Sequence, residues 1–143
     1  MSATYISAAL RRRVRDRAKG CCEYCLMAEE DSFFPHEPDH VIAEKHGGES
    51  TFANLALACL DCNRFKGTDI ASLDPKTRKL VALFNPRLDL WHEHFELRNG
   101  VIVPLTAIAR ATERLLKLNL LQRVEVRATL TRVGCYPRAA DLA

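Results

Sequence analysis

The chain has 143 residues, 48% of them hydrophobic, and a net charge of +3, enough for one globular domain and an argument against two independent ones. No apolar run approaches the ~20 residues needed to cross a bilayer, and Leu10 leads straight into "RRRVRDR" without an apolar signal core, so a cytoplasmic protein with no membrane partner is expected. In that reducing compartment six cysteines are poorly explained by disulfides and point to metal.

Charge is unevenly placed. Residues 1–20 carry six Lys/Arg against one Asp and residues 101–143 carry seven against three, while residues 21–100 carry eight against fourteen acidic side chains. Basic flanks around an acidic centre suit a polyanion held at its edges while carboxylates and metal work on it; equally, the cations can simply solvate amphipathic helices.

In chain order, Ser7 can cap a first helix in which Ile6, Leu10, Val14 and Ala18 share a face, with Gly20 as its stop. "CCEYC" reads as a tight turn and "EEDSFFPHEP" as a polar loop. A strand is expected at Asp39 to Ala43, starting no earlier because of Pro38, then a Gly-Gly loop and a second strand at Leu55 to Cys59. A helix should begin near Cys62 and fade at Gly67. Further on, "HFELRNGVIVPL" signals a β-hairpin turning at Asn99-Gly100. Thr106 should cap a helix to about Leu118, and Asn119 should start another reaching Arg132. The fold class is therefore α+β, one domain over 1–143: a basic helix (1–20), a metal-built core (21–69) and an extension of hairpin and helices (70–143).

Cys22 and Cys25 with Cys59 and Cys62 give C-x2-C-x33-C-x2-C, two knuckles that can close a tetrahedral zinc site with four thiolates. Four protein ligands leave no open position, so this zinc holds the fold and does no chemistry. Cys21 competes as a ligand only through a C-x3-C spacing. Cys135 has no partner in sequence. A plain zinc ribbon has ~15–20 residues between its knuckles, whereas the thirty-three here contain Asp39-His40, Gly47-Gly48 and Asn54.

"CEYC", "DHVIAEKHGG", "NLALACLDCN" and "KG", within residues 20–69, resemble the HNH endonucleases, the zinc-bearing branch of the ββα-metal (His-Me finger) nucleases. "LFNPRLDLWHEHF" and "TAIARAT" resemble an extension found on many bacterial members. The chemistry of phosphodiester hydrolysis fits these residues. His40 can accept a proton from water, and Asp39 can offer a carboxylate to Mg²⁺ or Mn²⁺, hard cations that keep several waters. The resemblance implies that Asn63, in the first turn of the helix after the second knuckle, completes that metal site; from the residues alone, capping the helix is the preferred reading. The resemblance also implies that Asn54 ties the inter-strand loop and orients His40, where the bare sequence offers a turn-forming Asn.

Lys66, Arg64, Arg11, Arg12 and Arg15 are the candidates for phosphate contact, with His46 and His36 weaker. His92 and His94 flank Glu93 and, on a strand, would share a face. The expected partner is nucleic acid, double-stranded DNA first, bound by a monomer or a homodimer. The expected activity is metal-dependent endonucleolytic hydrolysis. The alternatives are a zinc-stabilised nucleic-acid-binding module that does not cleave and a RING-like interaction domain, for which the chain lacks a series of eight ligands.

Overall fold

The computed structural model describes residues 5–142; residues 1–4 of the expected N-terminal segment, and Ala143, lie outside the described residues. Helix α1 (Ala8–Arg17) starts where Ser7 accepts a hydrogen bond from the Leu10 N–H at 3.1 Å and stops at Lys19 and Gly20, both at positive φ. Its face of Ile6, Val14 and Ala18 packs on Leu55 and Leu57. Arg13 and Arg17 close the rim of that contact, their guanidiniums 4.1 and 3.8 Å from the Phe52 ring centre.

Strands β1 (Glu37–His40) and β2 (Leu55–Ala58) pair antiparallel, with Asp39 opposite Ala56 and His40 opposite Leu55. β1 thus begins two residues before the expected Asp39 and ends at His40 instead of Ala43. Pro38 is tolerated because Leu57, its opposite number, directs its own N–H and carbonyl to Glu23. Pro38 therefore faces a non-hydrogen-bonded pair and forfeits no ladder bond.

Helix α2 (Leu60–Lys66) begins before the expected Cys62, because the Cys59 sulfur caps it by accepting from the Cys62 N–H at 3.4 Å. A short hairpin follows, β3 (Ala71–Leu73) with β4 (Leu80–Ala82), that the sequence reading did not anticipate. Then come a single-turn helix α3 (Trp91–His94), the expected hairpin of β5 (Phe95–Arg98) and β6 (Val101–Pro104), α4 (Ala107–Leu115) and α5 (Leu121–Arg132). Gly100 sits at φ 88°, and a Cβ there would lie 2.6 Å from the Ala128 nitrogen, so only glycine lets this turn rest on α5.

Thr106 caps α4 as expected, accepting from the Ala109 N–H at 3.1 Å. Asn119 does not cap α5; Leu120 holds that position. Its amide instead mimics a paired strand, with Oδ1 accepting from Ile102 N–H at 2.9 Å and Nδ2 donating to Ile102 O at 2.8 Å. The main core joins the four knuckle cysteines to Tyr24, Phe84, Trp91, Phe95, Ile102, Leu116, Leu118 and Tyr136. Among the described residues no helix is long and apolar enough to cross a membrane.

Candidate active site

The sulfurs of Cys22, Cys25, Cys59 and Cys62 lie within 4.8 Å of one another, all buried, and Cys25 and Cys59 are 3.7 Å apart. Four Zn–S bonds of ~2.3 Å in a tetrahedron would set the sulfurs about 3.8 Å apart, so the cluster fits a zinc ion. Burial pushes the Cys22 and Cys62 thiols well up, and a cation is what holds such groups as thiolates. Arg123 of α5 supplies part of that charge, with Nη2 at 3.1 Å from the Cys62 sulfur and 3.8 Å from that of Cys59. Burial alone would lower the Arg123 pKa, but the neighbouring cysteines outweigh it and raise it. Cys21 stays outside the cluster, packed with Ala28 and Ala139, and Cys135 contributes nothing to it.

The four-cysteine cluster fixes the start of α2, and α2 packs on β1. Lys66, the last residue of α2, is 2% exposed. Its ammonium lies 3.1 Å from Asp39 Oδ2 and 3.0 Å from the His40 carbonyl. The expectation that Lys66 meets solvent or phosphate therefore gives way to a buried ion pair that grips both residues of the Asp-His dipeptide. Tyr24 donates to the same Asp39 oxygen at 3.2 Å. Burial pushes the Asp39 carboxyl up, while Lys66 works against that shift. Asn63 is half-buried and stands three residues before Lys66, on the same face of α2. An amide oxygen and a carboxylate are both hard donors, a set suited to Mg²⁺ or Mn²⁺.

His40 is buried, with Nε2 2.7 Å from Ser50 Oγ. Ser50 Oγ in turn lies 3.1 Å from Glu44 Oε1, to which it donates. A hydroxyl has one proton, and an ionised carboxylate can only accept. Ser50 must then accept from His40 Nε2, whose N–H also faces Glu44 Oε1 at 3.4 Å, and in the neutral imidazole this leaves the lone pair on Nδ1. Asn54 pins the loop that carries this chain, accepting from Ile42 N–H at 3.0 Å and donating to Ile42 O at 2.9 Å and Glu49 O at 2.8 Å. Gly48 makes that crossing possible, since a Cβ on it would fall 1.7 Å from the Ile42 carbonyl oxygen.

Residues 22–69 match the HNH endonuclease family. The match is to this segment alone. It spans the zinc cluster, both strands of the first hairpin, His40, Asn54 and α2, and stops just before β3. No curated protein and no solved structure matches the chain.

The other expected contact residues lie apart from this HNH centre. Arg11 pairs with Glu37 at 2.7 Å and Arg15 with Glu29 at 2.9 Å, Arg12 is exposed on α1, and exposed Arg64 pairs with Asp61 at 3.3 Å. His46 bonds the Thr68 carbonyl at 3.1 Å. His36 is buried against the Met27 carbonyl at 2.8 Å. His92 and His94 sit on α3, not on a strand; His92 is exposed, and His94 bonds Thr106 Oγ1 at 2.7 Å and meets the Phe84 ring edge-on.

Sequence reasoning missed Ser50, Glu44, Tyr24 and Arg123. Nothing in the spacing of "AEKHGGES" distinguishes the relay from an ordinary polar loop. Arg123 and Arg127, four apart on α5, read as a solvated edge, yet both guanidiniums are buried.

Proposed function

We propose that the protein is a metal-dependent endonuclease that hydrolyses phosphodiester bonds of nucleic acid, DNA first. The observation that carries this reading is the Glu44–Ser50–His40 chain, which in the neutral imidazole places the lone pair on Nδ1, on the residue next to a buried carboxylate. Structural binding of zinc or of nucleic acid requires no such tautomer control.

In this mechanism His40 Nδ1 takes a proton from a water as the water oxygen bonds to phosphorus. The bond from phosphorus to the 3′ oxygen breaks, and that oxygen leaves with the electron pair and is protonated from solvent. Asp39 and Asn63 would hold a divalent ion, which when bound supplies positive charge for the phosphate and leaving oxygens. Asn54 keeps the loop behind His40 closed, and Lys66 holds the backbone carbonyl of His40 against α2. The zinc cluster acts at a distance, by fixing the helix that carries Asn63 and Lys66.

One observation favours the non-catalytic binding module: Asp39 already has a buried cationic partner in Lys66. Incubating purified protein with supercoiled plasmid, with and without Mg²⁺ or Mn²⁺, decides between them. Metal-dependent nicked or linear product supports the nuclease. Intact plasmid, retarded by bound protein, sinks it.

A further inference from the structure

Most cations of this protein are spent on the protein itself. On α1, Arg11, Arg15 and Lys19 pair with Glu37, Glu29 and Asp141, and Arg13 and Arg17 lie over Phe52. In the C-terminal half, Arg110, Arg123 and Arg138 are bound to carboxylates or thiolates, and Arg127 is buried on backbone carbonyls. The turn between β3 and β4 differs: Lys76, Arg78 and Lys79 are all exposed, and none forms an ion pair among the described residues.

This turn is built, not loose. Asp74 is fully buried and accepts from the Lys76 N–H at 3.1 Å, the Thr77 N–H at 3.3 Å and Thr77 Oγ1 at 2.8 Å. Arg110 of α4 clamps the same carboxylate from below with two bonds, of 2.9 and 2.8 Å. A buried ion pair thus organises a turn whose own cations are left to solvent. Pre-ordering the backbone lowers the entropy lost when such side chains meet a ligand.

The base of the hairpin adjoins the HNH centre. Leu83, the residue after β4, donates at 3.0 Å to the carbonyl of Ile70, four residues after Lys66, and His46 bonds Thr68 between them. A three-residue strand at ~3.3 Å per residue sets the turn about 10 Å out from that base. Phosphates recur every ~3.4 Å along each strand of a duplex, so 10 Å is about three base pairs.

We infer that the β3–β4 turn is a phosphate-backbone contact, in which Lys76, Arg78 and Lys79 hold duplex nucleic acid to one side of the bond presented to His40. The position relative to His40 rests on the nuclease reading; the contact itself does not.

The test compares full-length zinc-loaded protein with the variant K76Q/R78Q/K79Q on labelled duplexes of about 30 base pairs, one DNA and one RNA, across a salt series. With about 0.9 counterions released per phosphate contact, the variant should lose about 3 from the slope of log affinity against log salt, and at least tenfold in affinity. The single-turnover cleavage rate at saturating nucleic acid should hold. A control, R98Q/R114Q/R132Q, should keep the native slope. Loss on only one duplex assigns the contact to that nucleic acid. Native slope and affinity in the hairpin variant, equal loss in the control, or no binding of either duplex by the native protein would overturn the contact. Native protein that binds through the hairpin and never cuts sinks the nuclease reading and leaves the contact standing.

Discussion

At the scale of single residues, His40 and Lys66 lie next to one another and should fail differently. His40→Ala should lower the single-turnover cleavage rate by on the order of 10²-fold or more, as loss of a positioned general base does. Zinc content, melting temperature and affinity for nucleic acid should hold, and full cleavage by this variant would remove His40 from the mechanism. Ser50→Ala should cost less, on the order of tenfold, because it loosens the imidazole without removing it, and Ser50→Thr should restore the rate. Lys66→Met strips the partner from a buried carboxylate and should destabilise the fold by about 3–5 kcal/mol in denaturant titration. Adding Asn at Asp39 should recover most of that loss, since the uncompensated charge goes too. Asp39, His40, Asn54 and Asn63 were nameable from sequence, as candidates, through the resemblance that the motif carries. The burial of Lys66 was not, since a lysine ending a short helix reads as solvated, and the Ser50–Glu44 relay is formed only when Asn54 and Gly48 fold the loop back.

At the scale of elements, the caps and turns whose chemistry is local were readable. Ser7 and Thr106 cap as expected, and Asn99-Gly100 turns at φ 48° and 88°. The β3–β4 hairpin escaped because its strands are three residues long and its turn is ordered from α4. That dependence is testable. Arg110 holds the Asp74 carboxyl well below the ordinary carboxylate range. A carboxyl depressed in the folded state contributes stability above its unfolded pKa near 3.9 and loses it only as pH falls through the lower folded value. The Lys76 and Thr77 amides should therefore stay protected from hydrogen exchange at pH 5, and in Asp74→Asn should exchange fast at every pH. Fast exchange in the native protein at pH 5 would count against the clamp. Helix α2 depends on a different support, because Cys59 is both its cap and a zinc ligand. Cys59→Ser should yield protein with little bound zinc and poor solubility, whereas Arg123→Leu should bind zinc and release it to a chromophoric chelator faster than native protein. Unchanged release would leave Arg123 a packing residue only.

At the scale of the whole molecule, the HNH segment and the extension share one core. Trp91 donates to the Tyr24 carbonyl at 2.9 Å, and Tyr136, 111 residues beyond Cys25, donates to the Cys25 carbonyl at 2.7 Å. Arg87 pairs with Glu23, which in turn holds Leu57 of β2. The knuckles are thus lined by residues of the extension, from Phe84 through Leu118, and the four-cysteine site lies where the two halves of the chain meet. None of the three contacts made by Trp91, Tyr136 and Arg87 is visible in sequence, since each joins residues more than sixty positions apart with no shared motif. Residues 22–69 excised from the chain would bare that apolar lining, and a unit of this size rarely buries enough surface to hold itself together even with one metal. The excised segment, loaded with zinc, should give the narrow amide dispersion of an unfolded or molten chain in NMR spectra. The full chain should be well dispersed and should lose dispersion throughout, α5 included, when a chelator removes the zinc. A folded, zinc-tight fragment, or chelation that disturbs only residues 22–69, would mean that the two halves are independent units and that the extension is not needed to hold His40 and α2 in place.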